Sequence, residues 1–130
     1  MTMLLDTHLL LWIAAEPHRL PPEVREIVND ESVESRFSVA SLWEVAIKSS
    51  LERQDFAVDA RALRRGLLES GFPELPIDAG HVVAVADLPP IHRDPFDRLL
   101  IAQARTEGLT LLTVDERLSD YGAGVRVCAN

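Results

Sequence analysis

Cysteine is nearly absent. Cys128 is the only one in 130 residues, so an internal disulfide is excluded, as is thiol chemistry that needs a second cysteine. A lone thiol suits a reducing compartment, and the cytoplasm is the expected location. Long apolar runs are also missing: the longest, Leu9 to Ala15, is far below the roughly 20 residues that span a bilayer, and no membrane association is expected. No Lys or Arg precedes Asp6, which interrupts the first apolar stretch, so the start lacks the pattern of a secretory leader. His8, His81 and His92 include no pair one helical turn apart and are expected to be structural or on the surface. Positive charge is in deficit, with 13 Lys and Arg against 21 Asp and Glu and a net charge of -8. That balance excludes binding of nucleic acid through the overall field of the protein. A nucleic-acid partner would have to be met by bound cations or a local basic patch, and a basic partner protein would suit the acidic surface.

What is present fits a globular domain. The hydrophobic fraction is 47% and charged residues are 26%, at a length that matches one domain, residues 1–130, with a real core. No repeat, low-complexity tract or interdomain linker interrupts it. The stretch Met3-Leu4-Leu5-Asp6 reads as a buried strand that ends in a carboxylate. Thr7 to Ala15 follows at helical spacing and stops before Pro17, and Leu20 to Val28 repeats the pattern with proline at the first helical positions. Arg36 to Val39 is a short strand. Ala40 to Leu51 is a helix apolar over most of its circumference and therefore expected to be mostly buried; Trp43, like Trp12 in the earlier helix, is expected in the core, with an exposed place in a partner groove as the alternative. Asp59 caps a helix to about Ser70, stopped by Gly71, with Arg61, Arg64 and Arg65 on the face away from Leu63, Leu67 and Leu68. Those arginines form either a solvated face or a basic patch.

Glu74 to Ile77, flanked by Pro73 and Pro76, suits an edge strand. Asp78 caps a helix through Leu88. Asp94 and Pro95 open another apolar helix, which ends at Gly108. Thr110 to Val114 is a buried strand ending at Asp115, followed by a helical turn from Glu116 to Asp120 and a last strand near Val125 to Val127. Strands alternating with helices imply right-handed crossovers and a three-layer α/β/α fold, with a mostly parallel sheet of four to five strands.

Four acids stand out: Asp6 and Asp115 after strands, Glu44 and Asp97 near the starts of apolar helices. Each has a local structural role open to it. Asp6, Asp94 and Asp115 are good helix N-caps, worth typically ~1 kcal/mol each. Asp97 stands where a capping-box acid would, Ser41-Leu42-Trp43-Glu44 also has the capping-box pattern, and Glu44 pairs with Lys48 at i,i+4. Their combination points further. In a doubly wound sheet the strand carboxyl ends and the following helix amino ends share one edge, so the four acids converge there. Two carboxylates ~4 Å apart repel by roughly 4 kcal/mol at an effective dielectric near 20. Such a cluster is protonated, split by water, or neutralised by a hard divalent cation such as Mg²⁺ or Mn²⁺. A cation there would suit phosphodiester hydrolysis and would answer the charge objection to a nucleic-acid substrate.

These residues resemble the PIN-domain ribonucleases, and among them the VapC toxins of toxin-antitoxin pairs. The likeness runs from Leu-Leu-Asp-Thr-His at the start through Ser-Leu-Trp-Glu-Val-Ala-Ile-Lys (Ser41 to Lys48) and His-Arg-Asp-Pro-Phe-Asp-Arg-Leu-Leu-Ile-Ala-Gln-Ala (His92 to Ala104) to Leu-Thr-Val-Asp (Leu112 to Asp115). The resemblance implies that Asp6, Glu44, Asp97 and Asp115 form the acidic quartet, with Thr7 as a hydroxyl supporting the first acid. It also implies Mg²⁺ or Mn²⁺, RNA cleavage, a homodimer and an inhibitory antitoxin. Asp94 is an added acid, read first as a cap and otherwise as an extra ligand or supporting group. Lys48, Arg93 and Arg98 are candidate phosphate contacts, each with surface or ion-pair roles as the alternative.

Two rivals remain. A receiver domain would also place acids and Mg²⁺ at strand ends, but it needs paired acids after the first strand and a Lys after the last, where this chain has Thr7 and His8 and then Arg126. A PIN-like domain that only binds a partner is the other.

Overall fold

The computed structural model describes residues 1–51 and 57–129. Five strands form one sheet: β1 (Thr2–Leu5), β2 (Glu34–Ser38), β3 (Glu74–Leu75), β4 (Thr110–Thr113) and β5 (Val125–Val127). The helices are α1 (Thr7–Ala15), α2 (Pro22–Asn29), α3 (Val39–Ser50), α4 (Ala60–Glu69), α5 (Ala79–Ala84) and α6 (Pro95–Glu107), with short 3₁₀ turns between them. Every strand pair is parallel and the order is β3-β2-β1-β4-β5. Crossovers of this kind leave both sheet faces to be covered by helices, which explains the continuous leucines of β1 and β4.

The pleat sorts those leucines between two cores. Met3, Leu5 and Leu112 point into one with Leu9 and Leu10 of α1, Val24 of α2, and Leu63 and Leu67 of α4. Leu4 and Leu111 point into the other with Leu99, Leu100 and Ile101 of α6, and with Leu118 and Tyr121. A three-layer α/β/α sandwich results. β3 is an edge strand, as its flanking prolines require. Gly71 and Gly108 take positive φ at the ends of α4 and α6, where a side chain would be strained.

The order also fixes where a ligand belongs. The chain runs outward from β1 through β2 to β3, then returns to the other side of β1 for β4. The topological switch point is therefore the crevice between β1 and β4, the two strands that end in Asp6 and Asp115. Receiver-type sheets have the order 2-1-3-4-5, so the topology disfavours that rival.

Three local expectations are corrected. The helix start near residue 40 is capped by Ser38, whose hydroxyl accepts from Ala40 N; Ser41 lies inside α3, so Ser41 to Glu44 is no capping box. The segment after Asp78 is α-helical only to Ala84 and continues as a 3₁₀ turn, Val85–Asp87. Trp43 is not core: it is 51% exposed, with Ile47 beside it and Leu51 beyond the helix end also exposed. Among the described residues α3 carries more apolar surface than α1, α4 and α6 cover, and the ring of Trp43 packs edge-on against Phe96, centroids 4.8 Å apart. Trp12, by contrast, is buried.

Leu111 is fully buried in the strand beside the switch point. Leu111→Ala is expected to cost about 2–5 kcal/mol of unfolding free energy, read from urea denaturation.

Candidate active site

Asp6 ends β1 and caps α1, its Oδ1 accepting from His8 N at 3.4 Å. Its backbone N–H donates to Leu112 O, so the carboxylate is held by the sheet on one side and the helix on the other. Asp115 is set symmetrically at the end of β4, capping a 3₁₀ turn. Thr113 joins the two: its hydroxyl donates to Asp6 Oδ2 at 2.5 Å and accepts from Asp115 N at 3.0 Å. Glu44 reaches the same edge from the second turn of α3, and Asp97 from the first turn of α6. Asp94 caps α6 through bonds from Phe96 N and Asp97 N.

The electrostatics show that these acids share one field. Asp97 is pushed up to about 8, first by burial and then by the charges of Asp6, Asp94, Glu44 and Asp115. Burial also raises Asp6, with Glu44 adding to it and the Thr113 hydroxyl opposing. Asp115 goes the other way, because the Arg117 guanidinium is hydrogen-bonded to it.

Glu44, Asp94, Asp97 and Asp115 each face a basic side chain. Lys48 Nζ lies 2.5 Å from Glu44 Oε2 and 3.7 Å from Asp94 Oδ2, His92 Nε2 lies 2.9 Å from Asp97 Oδ2, and Arg117 forks onto Asp115. One oxygen is left over: Glu44 Oε1 is buried with no hydrogen-bond partner among the described residues, and a buried carboxylate oxygen without a partner is costly. Ligating atoms of His92, Asp97 and Asp115 lie within 4.8 Å of one another. The oxygens of Asp97 and Asp115, one imidazole, and an orphaned oxygen on Glu44, whose charge acts on Asp97 together with that of Asp6, fit a divalent cation, which these residues could hold.

The remaining candidates divide. Thr7 is buried, but its hydroxyl donates to Ser41 Oγ at 2.9 Å, so it ties α1 to α3 while Thr113 supports Asp6. Arg98 is corrected as a phosphate contact. Both terminal nitrogens of its guanidinium donate inward, to the carbonyls of Val85, Leu88, Pro89 and His92 and to the Tyr121 hydroxyl, and staple the loop carrying His92. Lys48 is committed to the acids. Arg93 is exposed beside Asp94 and makes no hydrogen bond or ion pair among the described residues. Of the helix α4 arginines, Arg64 is bound in a fork to Glu74, and Arg61 and Arg65 are exposed. His81 is structural, its Nδ1 accepting from Asp78 N and its Nε2 facing Glu107.

Thr113, His92 and Arg117 were not among the residues that spacing singled out. Thr113 and Arg117 each stand two residues from Asp115, a separation legible only once the strand end is known. His92 sits in a loop five residues before Asp97, where no helical period applies.

A parallel α/β sandwich with carboxylates gathered at its switch point defines the class. The PIN domain family model matches residues 3–124, and the chain belongs to the PIN-domain family. Ribonuclease VapC22 of Mycobacterium tuberculosis is 30% identical over 120 residues, covering 92% of each chain. Among solved structures, VapBC2 of Rickettsia felis, bound to a DNA fragment from their promoter, matches with a TM-score of 0.72 at 15% identity, over 99% of this chain and 98% of that one. FitAcB of Neisseria gonorrhoeae matches at 0.60 and 21%, over 95% of each chain. At these identities the structural matches establish the fold.

Two outcomes are expected from this geometry. Asp97 binds its proton more tightly folded than unfolded, so the stability it contributes is full below its ordinary pKa near 3.8 and is lost as pH rises towards 8. In chelator-treated protein the melting temperature should therefore fall between pH 5 and 8, and Asp97→Asn should flatten that slope. Arg98→Ala should cost about 1.5–3 kcal/mol in denaturant unfolding, and Arg98→Lys should not restore it, because an ammonium cannot span the same carbonyls.

Proposed function

We propose that this protein is a divalent-metal-dependent endoribonuclease, using Mg²⁺ or Mn²⁺, and the toxin of a VapBC-type toxin-antitoxin pair. The observation that carries this is the convergence of Asp6, Glu44, Asp94 and Asp115 on Asp97 at the switch point, with Glu44 Oε1 left unpaired. The curated relative's name, a ribonuclease, supports RNA as the substrate. A bound divalent cation would supply charge stabilisation at the scissile phosphate and a water nucleophile at neutral pH.

The chain's own residues account for the rest. Thr113 and the cap of α1 hold Asp6 in one orientation, and His92, pinned by the Arg98 staple, orients Asp97. Lys48 holds Glu44 aligned from one turn further along α3. Of the three candidate phosphate contacts Lys48, Arg93 and Arg98, Arg93, exposed beside Asp94, is the one left to meet a substrate phosphate. Acidity of the pocket and of the whole protein is then reconciled with an anionic substrate by the cation rather than by a basic surface.

The partners follow from the same reading. Solved structures with this fold include a toxin-antitoxin complex from Klebsiella pneumoniae and a member of the VapBC family of toxin-antitoxin systems from Mycobacterium tuberculosis, and a cognate antitoxin that inhibits the nuclease is part of the proposal, as is a homodimer in the cytoplasm. The exposed Trp43 and Ile47 of α3 and Val82 and Val83 of α5 are apolar surface for such partners to cover. No helix among the described residues is long and apolar enough to cross a membrane.

Asp6→Asn keeps the size and most of the hydrogen bonding of Asp6 while removing its charge. It should lower cleavage of an RNA panel by more than about a hundredfold, beyond the loss typical of a group that only supports a metal ligand, with the melting temperature unchanged or raised. Undiminished cleavage by the mutant, or full cleavage in excess chelator, would sink the mechanism and favour a domain that only binds a partner.

A further inference from the structure

The counter-groups of the acids are not alike. Those of Asp6, Glu44 and Asp97 are largely buried: the Thr113 hydroxyl, Lys48 at 16% exposure and His92 at 13%. Asp115 is matched instead by Arg117, whose side chain is 73% exposed. Arg117 Nε lies 3.0 Å from Oδ1 and 3.3 Å from Oδ2, and Nη2 lies 2.8 Å from Oδ2. Both carboxylate oxygens are covered by one planar fork. Among the described residues the guanidinium makes no other hydrogen bond or ion pair, so the carboxylate is its sole anchor.

That anchor is shared. Asp115 oxygen, His92 nitrogen and Asp97 oxygen face one another within 4.8 Å, and Arg117 also lies in the fields of Asp97 and Asp94. A guanidinium forked onto both oxygens of Asp115 takes up a lone pair of each and blocks that approach, and its positive charge repels a divalent ion at the same place. Departure is easy, since the side chain already faces solvent and loses only an exposed pair.

We propose that Arg117 is a built-in competitor for the cation site: its guanidinium occupies Asp115 until a divalent ion displaces it, which sets the metal affinity of the nuclease. The proposal rests on the divalent-cation reading above. Arg117 acts through Asp115, so it is a positioning residue. It neutralises part of the acidic cluster before loading, and loading turns it outward at the rim of the site.

The test is isothermal titration of Mn²⁺ into chelator-treated full-length protein without RNA, comparing wild type with Arg117→Gln. The variant is expected to bind Mn²⁺ about three- to fivefold more tightly, the factor by which an exposed pair of good geometry competes. Saturating Mn²⁺ should also raise its melting temperature more than that of wild type. In an Asp115→Asn background the same Arg117→Gln change should make no difference, because the shared carboxylate is gone. Equal or weaker Mn²⁺ binding by Arg117→Gln overturns the competitor and leaves the metal site standing. A gain that persists in the Asp115→Asn background reduces the effect to general charge and overturns it too. Absence of Mn²⁺ binding by both proteins overturns the competitor and the metal-dependent reading together.

Discussion

Carboxylates gathered in a poorly solvated crevice repel one another, and the arrangement of this protein follows from managing that repulsion. Five acids stand at the edge where β1 and β4 end and α3 and α6 begin. Charge is moderated there in three ways: protonation of Asp97, favoured by burial and by its neighbours; pairing of Glu44 and Asp115 with Lys48 and Arg117; and helix amino ends. Asp6 and Asp94 cap helices, where unpaired backbone N–H groups and the helix dipole favour negative charge. The cluster is thus stable enough to fold and still unsatisfied at Glu44 Oε1, the combination that a cation site requires.

Rigidity around the crevice has an identifiable source. Thr113 binds Asp6 and the backbone of Asp115 at once, so the two strand ends are tied together. Thr7 and Ser41 lock α1 to α3 in the same way. On the far side, Arg98 gathers four carbonyls from the segment between α5 and α6 and holds His92 against Asp97. The positions of the acids are therefore set by hydrogen bonds between elements, on top of the packing of the two cores. Arg117 is the exception, tied to the site only through the group it neutralises.

Local sequence determined much of this. Asp6, Asp59, Asp78, Asp94 and Asp115 announce their caps because an Asx side chain bonds the backbone two or three residues on, a short-range event. The leucine strands, the prolines bounding β3 and the glycines closing α4 and α6 are likewise written in neighbouring residues. From these the three-layer class and the convergence of the quartet on one edge were legible, since both follow from strand and helix alternation. Tertiary structure alone decided the rest. Whether Ser41 caps a helix or receives Thr7, whether Arg98 meets phosphate or carbonyls, and which hydroxyl serves Asp6 all depend on partners from 6 to 107 residues away. Trp43 was misplaced for the same reason: apolar periodicity reports that a face prefers burial, and only the packing of α1, α4 and α6 decides whether this chain has anything left to cover it.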